Sequence, residues 1–411
     1  MVSGTALAQG ISLIAVPVIS RIYAPAAVGT FGAAVSLITV LTSTSTLKYN
    51  EALMLPKEER DAATLLSLSL ASVGVISALT LVVCLGMGDL LDSLIGATVG
   101  IAWAYILCLA VLVSGWYLTF AGWAARQKRF ARISGSQIGR SAGSNLVQIG
   151  AGLASPGPGS LLAGLLAGEA IGCLSITVRA LHRDRASLVG AATWRRMKRL
   201  ALEYVDFPLY TNTQGLLGAI SQNAPVLLLV HFFGAAVAGY YSVGVRLIQW
   251  PMSLVLQSLR QVLFQKASQA YNSGEDTYRI FRSVTLVLMG VGAVPAIAIL
   301  LFAPVMFRFV LGEQWVEAGV YARWLIPWMF FMFANVPAVL FGQIYRRQRM
   351  MLLFDMTLLI SRTAVLVLGG LYLTALQSII LFSITGALIN ASIILAMWRV
   401  VDAERGKARQ S

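Results

Sequence analysis

The sequence predicts an all-α polytopic membrane protein, with about 12 transmembrane helices in two six-helix lobes around a central cavity. Three observations predict this class. Hydrophobic residues make up 58% of the chain and charged residues only 12%, whereas soluble domains carry about 25% charged residues. Apolar runs recur at the roughly 20-residue length that a membrane-crossing helix needs, and the two halves of the chain resemble each other. The mean hydropathy of +0.77 agrees with this class.

Twelve apolar segments are long enough to cross a bilayer. In chain order the predicted spans are 4–21, 27–48, 62–85, 99–124, 132–153, 159–181, 207–232, 236–260, 281–303, 319–342, 351–373 and 377–399. The first span is followed at once by "RIYAP" rather than by a small-residue cleavage site. We therefore expect it to be a retained helix and not a cleaved signal peptide.

Basic residues are distributed unevenly between alternate loops. The outward links, at 22–26, 86–98, 154–158, 233–235, 304–318 and 374–376, hold one basic residue, Arg308. The remaining segments hold all but six of the 31 Lys and Arg residues; they are 48–62, 126–132, 179–205, 260–282, 346–349 and 399–411. Lys and Arg accumulate in cytoplasmic loops. The net charge of +14 therefore indicates twelve spans with both termini cytoplasmic, rather than nucleic-acid binding.

The longest inward segment, "RALHRDRASLVGAATWRRMKRL", lies near the middle of the chain. It divides the spans six and six. We predict an N-terminal lobe at residues 1–185, a basic cytoplasmic linker at 186–206, and a C-terminal lobe at 207–411 with a short cytoplasmic tail. The linker is expected to lie solvated against anionic lipid headgroups, and docking of a partner protein is the alternative.

The two halves carry a repeat. With a shift of 210 residues, "RIYAPAAVGTFGAAVSLI" (21–38) aligns with "HFFGAAVAGYYSVGVRLI" (231–248) without a gap. Each copy places a short outward turn between two helices, at the same place in its half. The identical pairs are Ala26/Ala236, Gly29/Gly239, Val35/Val245, Leu37/Leu247 and Ile38/Ile248. Six helices separate the copies, so the repeats are predicted to be parallel, as in some secondary transporters.

Polar residues follow one helical face in several spans. In the eighth span this stripe is Ser242, Arg246, Gln249, Ser253 and Gln257, and in the second span it is Ser36, Thr39 and Ser43. The fifth span has Gln137, Arg140, Ser141, Ser144, Asn145 and Gln148, and the seventh has Thr211, Gln214, Ser221 and Gln222. Such stripes either form helix–helix hydrogen bonds or line a water-filled interior, and the arginines favour the interior.

Four charged residues lie deep in predicted spans. Arg246 is about ten residues, or roughly 15 Å, into its helix, near the middle of a core about 30 Å thick. Arg362 lies at a similar depth and Arg140 at a shallower one, while Glu169 is near the middle of its span. Arg140 and Glu169 belong to one predicted hairpin and could form either a structural ion pair or a proton or cation site. A cationic interior favours an anionic ligand, and the arginine fork suits phosphate.

The chain resembles the bacterial polysaccharide flippases of the multidrug/oligosaccharidyl-lipid/polysaccharide exporter superfamily. The first half carries "RIYAPAAVGTFG" and then "KYNEALMLPKEERDA", in which Lys48, Glu51 and Leu55-Pro56-Lys57 match residues typical of the family. The second half carries "FPLY", "SQNAPVLLL", "FGAAVAGYYSVGVRLIQWP" and "LGEQWVEAGVYARWLIPW". The order of these landmarks is kept over most of the chain, although each is a packing or turn signal rather than a diagnostic motif.

The resemblance implies a transporter of the bacterial inner membrane that turns an undecaprenyl-pyrophosphate-linked oligosaccharide, of O-antigen or exopolysaccharide type, to the periplasmic leaflet. A polysaccharide polymerase or another export component would be its partner. The candidate substrate-binding residues are Arg246, Arg140, Arg362, Arg21, Gln249, Ser36 and Gln222. The candidates for ion coupling or gating are Glu169, Glu51, Asp206 and Asp355. No cofactor is expected beyond a coupling H⁺ or Na⁺, since no Walker-type loop and no metal-ligand spacing is present.

Three other classes of protein remain as alternatives. An ion-coupled multidrug exporter of the same superfamily should have an acidic or aromatic cavity, whereas the deep charges here are mainly positive. A membrane polymerase, ligase or glycosyltransferase needs a sizeable loop with catalytic groups. The acidic residues of the longer outward links are Asp89, Asp92, Glu313 and Glu317, which are expected to be solvated. A scaffold protein would have no need of arginines near the membrane midplane.

Overall fold

A computed structural model describes residues 2–96, 100–188, 193–273 and 275–408 of the chain. Within these ranges the chain forms helices joined by short turns, without any strand. It packs as two compact units, a first unit from Met1 to Gly239 and a second unit from Tyr240 to Ser411. The lobe boundary predicted at residues 186–206 rests on the long basic segment between the sixth and seventh predicted spans, and it remains a prediction.

Each predicted span is occupied by helix, and α13 and α14 together occupy the tenth. The first unit contains α1 (Val2–Ile22), α2 (Pro25–Ser45), α3 (Tyr49–Ala52), α4 (Glu59–Gly86), α5 (Gly88–Ile95), α6 (Ile101–Arg126), α7 (Phe130–Ala154), α8 (Pro158–Leu188), α9 (Trp194–Glu203), a π-helical turn (Phe207–Thr211) and α10 (Asn212–Phe233). The helix α11 (Ala235–Ser273) begins in the first unit. The second unit continues with α12 (Thr277–Leu311), a 3₁₀ turn (Glu313–Trp315), α13 (Val316–Ala334), α14 (Val336–Ile344), α15 (Gln348–Tyr372) and α16 (Ala375–Ala408).

The all-α membrane class is confirmed. Among the described residues, nine helical segments are long and apolar enough to cross a membrane, and Ala6–Ile22 is a shorter apolar helix. The long helices α7 and α11 are more polar than these nine, because they carry the arginine-bearing stripes. Helix α11 also extends 13 residues beyond the predicted end at 260.

Helix α9 lies in the segment that the sequence analysis treated as a solvated linker. It is strongly amphipathic, with Leu200 buried and Trp194 exposed, and it packs against α4. Two of its arginines bind Asp61 at the start of α4: Arg199 Nη2 lies 2.9 Å from Oδ1, and Arg196 Nε lies 3.6 Å from the same oxygen. The basic residues Arg196 and Arg199 thus lie on a helix whose ion pairs attach it to the first unit. Residues 189–192 of the predicted linker lie outside the described residues, and its contact with lipid headgroups stays a prediction.

The hairpin of α7 and α8 is the most extensive helix pairing in the first unit. Gly164, Gly168 and Gly172 recur every four residues along α8 and lie against α7. A Cβ added at Gly168 would be 2.6 Å from the carbonyl oxygen of Arg140, and one at Gly164 would be 2.8 Å from that of Ser144. Small residues at this spacing let two helix backbones approach closely, and they place the middle of α8 directly against Arg140.

The repeated turns meet each other within the first unit. A Cβ on Gly29 of α2 would lie 1.7 Å from the carbonyl oxygen of Ala235, and a Cβ on Gly239 would lie 2.1 Å from that of Pro25. These are the glycines that the sequence repeat aligns. Only glycine allows the first turns of α2 and α11 to cross at this separation.

A polar cluster ties together helix ends on the predicted cytoplasmic side of the first unit. Asp184 of α8 is buried and accepts hydrogen bonds from Arg129 Nη1 (2.5 Å), Arg129 Nη2 (2.8 Å) and Trp123 Nε1 (2.9 Å). Hydrogen bonding to Asp184 raises the pKa of the Arg129 guanidinium. Nearby, Arg126 donates to the backbone carbonyl oxygens of Leu53 and Pro56 at 2.7 and 2.8 Å. The cluster fixes α6, α8 and the loop after α3 to one another.

The second unit is built around α13. This helix packs against α12 and α16, and α15 packs against α16. Trp328 of α13 lies over Gly386 of α16, where a Cβ would come within 2.7 Å of its ring. Asn335, between α13 and α14, donates a hydrogen bond to Asn390 of α16. The aromatic rings and this buried amide pair fix α13 against α16 and so determine what surrounds the middle of α15.

Candidate substrate-binding residues

Arg246 is the twelfth residue of α11, counted from the turn at Gly234, which is predicted to face outward. At 1.5 Å per residue it lies about 18 Å into the helix, near the middle of a hydrocarbon core about 30 Å thick. Its side chain is exposed, with the guanidinium carbon 5.7 Å from the ring centroid of Trp250. Among the described residues it forms no ion pair. An accessible guanidinium at this depth is available to a ligand.

Three other residues of the α11 stripe, Ser242, Gln249 and Ser253, are less accessible than Arg246, while the side chain of the fifth, Gln257, lies outside the described part of the chain. Gln249 is half-buried, one turn farther along the helix. The Ser253 hydroxyl donates to the carbonyl oxygen of Trp250 at 2.8 Å, and the buried hydroxyl of Ser242 has no hydrogen-bond partner in the described part of the chain. Arg246 is therefore the strongest candidate for ligand contact on this face, with Gln249 beside it.

Arg140 and Glu169 form an ion pair across the α7–α8 hairpin. The Glu169 side chain is only 4% exposed, whereas that of Arg140 is 40% exposed, and the guanidinium also lies 5.4 Å from the centroid of Tyr117. The second carboxylate oxygen, Oε2, is buried and accepts no hydrogen bond of good geometry from the described residues. The predicted approach of Arg140 to Glu169 is confirmed, and the positive charge of Arg140 is paired with the carboxylate.

The remaining polar stripe of α7 joins helices rather than facing open space. Ser141 donates to the carbonyl oxygen of Ala8 on α1 at 2.7 Å, and its hydroxyl lies 2.8 Å from that of Ser12. Asn145 Nδ2 donates to Ser12 at 3.2 Å, and the Tyr23 hydroxyl donates to the carbonyl oxygen of Gln148 at 2.6 Å. For Ser141, Asn145 and Gln148 these contacts support helix–helix hydrogen bonding, and the polar interior along this stripe stays a prediction.

Arg362 lies in α15 and is buried. Its guanidinium carbon lies 4.0 Å from the ring centroids of both Trp328 and Phe382. No acidic residue pairs with it in the described ranges, and its Nε has no hydrogen-bond partner there. Its arrangement thus differs from that of Arg140, which has a carboxylate, and from that of Arg246, which is accessible.

The other predicted site residues occupy varied positions. Arg21 is exposed in the last turn of α1, and Gln222 is exposed in α10. Ser36 is 4% exposed, so it is enclosed by packing and we withdraw it as a ligand contact. The hydroxyls that continue its stripe, Thr39 and Ser43, donate to carbonyl oxygens of their own helix. Thr39 is exposed and Ser36 is buried, so the lumen-facing interpretation of the α2 stripe stays a prediction.

The remaining acidic candidates lie apart from Glu169. Glu51 of α3 is exposed and binds Lys48 Nζ at 2.7 Å. Asp206 is exposed just before the π-helical turn, and Asp355 is exposed in the third turn of α15. Glu169 is thus the one buried carboxylate among the four residues predicted for ion coupling.

Sequence reasoning missed the aromatic surroundings of Arg362 and the Asp184 cluster. Trp328, Phe382 and Arg362 are separated by more than 19 residues from one another in the sequence, so no local spacing relates them. Asp184 lies in a segment rich in basic residues, and the segment was interpreted from those basic residues alone. Its position four residues after Ala180 on the buried face of α8 was the available signal.

The profile of a family described as "Polysaccharide biosynthesis protein" matches residues 18–319. The chain belongs to that family. This membership confirms the family resemblance drawn from the sequence. The matched region covers both turns of the repeat and ends within α13, so it includes Arg140, Glu169 and Arg246.

The fold of this polysaccharide biosynthesis protein is that of two kinds of solved transporter. A structure titled "Lipid II flippase MurJ, inward closed conformation" is similar with a TM-score of 0.75 and 13% identity, over 95% of this chain and 86% of that one. An inward-facing multidrug resistance MATE family transporter of the MOP superfamily has a TM-score of 0.66 and 15% identity, over 99% and 96%. No curated protein matches the chain by sequence.

Proposed function

We propose that this protein is a flippase that moves an undecaprenyl-pyrophosphate-linked oligosaccharide from the cytoplasmic to the periplasmic leaflet of the bacterial inner membrane. Membership of the polysaccharide biosynthesis family supports a glycan substrate. Similarity in fold to a protein titled as a lipid II flippase supports a lipid-linked one. The transporter would work by alternating access, without enzymatic chemistry on the glycan.

The observation that carries the proposal is the accessible guanidinium of Arg246 deep in α11. A pyrophosphate-linked sugar cannot cross hydrocarbon unaided, because burying an unpaired charge costs many kcal/mol. A planar guanidinium donates two parallel hydrogen bonds to a phosphate and offsets its charge. Arg246, with no acid to pair with among the described residues, supplies this contact where the cost to the headgroup is highest.

The other two deep arginines, Arg140 and Arg362, already contact partners within the protein. Arg140 is held by Glu169, so an incoming phosphate would have to compete with a carboxylate for the guanidinium. Arg362 is enclosed beside Trp328 and Phe382. Arg246 is therefore the arginine most available for a large headgroup, and Gln249 is positioned one turn away to bind sugar hydroxyls.

We expect Arg246→Ala to lower the rate of flipping of a fluorescent lipid-linked oligosaccharide in proteoliposomes by about 10- to 100-fold, since a charge-assisted hydrogen bond contributes about 1.5–3 kcal/mol. Arg246→Lys should retain part of the rate, because the charge remains and the fork is lost. Arg308→Ala is the control, since Arg308 is exposed near the outward end of α12 and pairs with Glu313. Wild-type flipping by the Arg246→Ala protein would refute the proposal.

The same vesicles test the multidrug alternative. Uptake of an organic cation driven by an H⁺ or Na⁺ gradient, with no flipping of the lipid-linked oligosaccharide, would favour an ion-coupled drug exporter. We expect no such uptake, because a positive side chain as accessible as Arg246 repels an organic cation.

A further inference from the structure

The surroundings of Arg362 form an aromatic corner. Its guanidinium carbon lies 4.0 Å from the centroids of Trp328 and Phe382, and these two centroids are 5.4 Å apart with their planes at 74°. These three distances place the two ring centroids at roughly a right angle to each other about the guanidinium carbon, so the rings do not enclose it from opposite directions. Tyr241 packs edge-on against Phe382. The side of the guanidinium away from the corner is therefore not covered by these two rings.

The corner contains two buried donors without acceptors. Arg362 Nε and Trp328 Nε1 are both enclosed, and neither has a hydrogen-bond partner in the described part of the chain. Arg362 is 9% exposed and Trp328 is 5% exposed. Nearly all buried polar groups in folded proteins are hydrogen-bonded. The two unpaired donors, one on the guanidinium and one on the indole beside it, therefore indicate that an acceptor binds there.

The rings alone do not offset the charge. Cation–π contacts attract the guanidinium to the ring faces, but they supply neither a counter-charge for the desolvated cation nor an acceptor for its Nε–H. No carboxylate pairs with Arg362 among the described residues, and its buried Nε has no acceptor there. An anion would supply both the missing charge and the missing acceptors.

We propose that the corner formed by Arg362, Trp328 and Phe382 in the second unit is a binding site for a phosphate-class oxyanion. The oxyanion accepts from the edge of the guanidinium and from Trp328 Nε1, while the ring faces hold the guanidinium in one orientation. Two sources supply this chemistry, a free inorganic anion or the pyrophosphate of a membrane lipid. The site is distinct from Arg246, which is exposed and whose guanidinium carbon lies 5.7 Å from the ring centroid of Trp250.

The test measures binding without transport. The full chain carrying Arg246→Ala, so that the first proposed contact is absent, is placed in nanodiscs of zwitterionic lipid in gluconate buffer at constant ionic strength. Its thermal unfolding midpoint is followed as inorganic phosphate is added, and in a second arm as undecaprenyl pyrophosphate is included in the nanodisc. We expect a saturable rise in the midpoint, because a ligand that binds only the folded state stabilises it. The arm that shows the rise identifies the source.

Adding Arg362→Met should weaken binding by about tenfold or more, since the charge-assisted bonds are lost. Arg308→Met removes the same charge from an exposed position and should leave the response unchanged. If the Arg362→Met protein fails to fold, Trp328→Phe keeps a ring and removes only the Nε1 donor, and it should weaken binding several-fold. No rise in either arm, or an equal rise with Arg362→Met, would overturn the inference.

The two proposals fail separately. A lost anion response with intact, Arg246-dependent flipping would refute only the aromatic corner. An anion response that depends on Arg362, in a protein that flips no lipid-linked oligosaccharide, would refute only the flippase.

Discussion

At the scale of single residues, the three deep arginines lie in three different environments. Arg140 has a carboxylate partner, Arg362 has two aromatic rings, and Arg246 is exposed with no carboxylate partner among the described residues. From their positions within the predicted spans alone, the three arginines could not be assigned different roles. The partners that distinguish them come from other helices, so only the folded chain separates a structural ion pair from a ligand contact.

The asymmetric burial of the Arg140–Glu169 pair predicts asymmetric mutational costs. Arg140→Met leaves a carboxylate that is 4% exposed without its counter-charge, and breaking a buried pair in this way costs about 3–5 kcal/mol of unfolding free energy. Glu169→Gln leaves a guanidinium that is 40% exposed and should cost clearly less. Denaturant unfolding of the purified protein in detergent measures both.

The double variant Arg140→Met with Glu169→Gln provides the control for this pair. It should be more stable than Arg140→Met alone, since no unpaired buried charge remains. If Glu169→Gln proved the more damaging single change, the structural account of the pair would be wrong.

At the scale of elements, glycine spacing determines how closely the helices pack. Gly164, Gly168 and Gly172 of α8 form a run at four-residue intervals that is plain in the sequence. Neither the composition nor the hydropathy of α8 distinguishes it from a lipid-facing helix. What the sequence could not show is that this run faces α7 at Arg140, because that depends on the rotation of both helices.

We expect Gly168→Ala to destabilise the first unit, although alanine is the better helix former by about 1 kcal/mol. The new Cβ would lie 2.6 Å from the backbone oxygen of Arg140, so α7 and α8 would have to move apart and weaken the ion pair. Gly150→Ala in α7 is the matched control, since nothing lies within 4 Å of its added Cβ. Thermal unfolding should show a loss for the first variant and no loss for the second; equal behaviour would contradict the close approach.

The short elements were the least predictable from the sequence. Helix α9 has the pattern of a soluble amphipathic helix, which a search for apolar runs overlooks, and α5 spans only eight residues. The π-helical turn at Phe207–Thr211 contains Pro208, which has no backbone N–H to donate. These elements follow from side-chain partners and local backbone chemistry, whereas the long helices follow from hydrophobicity alone.

At the scale of the whole molecule, length and charge predicted the class and the number of long helical segments. The alternation of basic and neutral loops indicates on which side of the membrane each loop lies, and this inference requires no knowledge of contacts between residues. For this reason it could be made from the sequence. The lobe boundary and the central cavity depend on packing between distant segments, and they remain predictions.

The predicted sidedness can be tested by labelling. In a chain whose Cys84, Cys108 and Cys173 are replaced, a cysteine at Ser155, in the turn between α7 and α8, should react with a membrane-impermeant maleimide in spheroplasts. A cysteine at Lys57 should react only after the membrane is permeabilised. Both positions are exposed, so burial does not explain a difference. Labelling of Lys57→Cys from outside would reverse the orientation.

The crossing of α2 and α11 bears on the origin of the chain. Gly29 meets Ala235 and Gly239 meets Pro25, and the 210-residue shift converts each of these pairs into the other. A contact in which i meets j while j meets i is the signature of a two-fold dimer of identical chains. A six-helix ancestor that paired with its own copy would have made this contact twice at one interface. Gene fusion would then have preserved a homodimer contact inside a single polypeptide, leaving each half free to acquire its own charges.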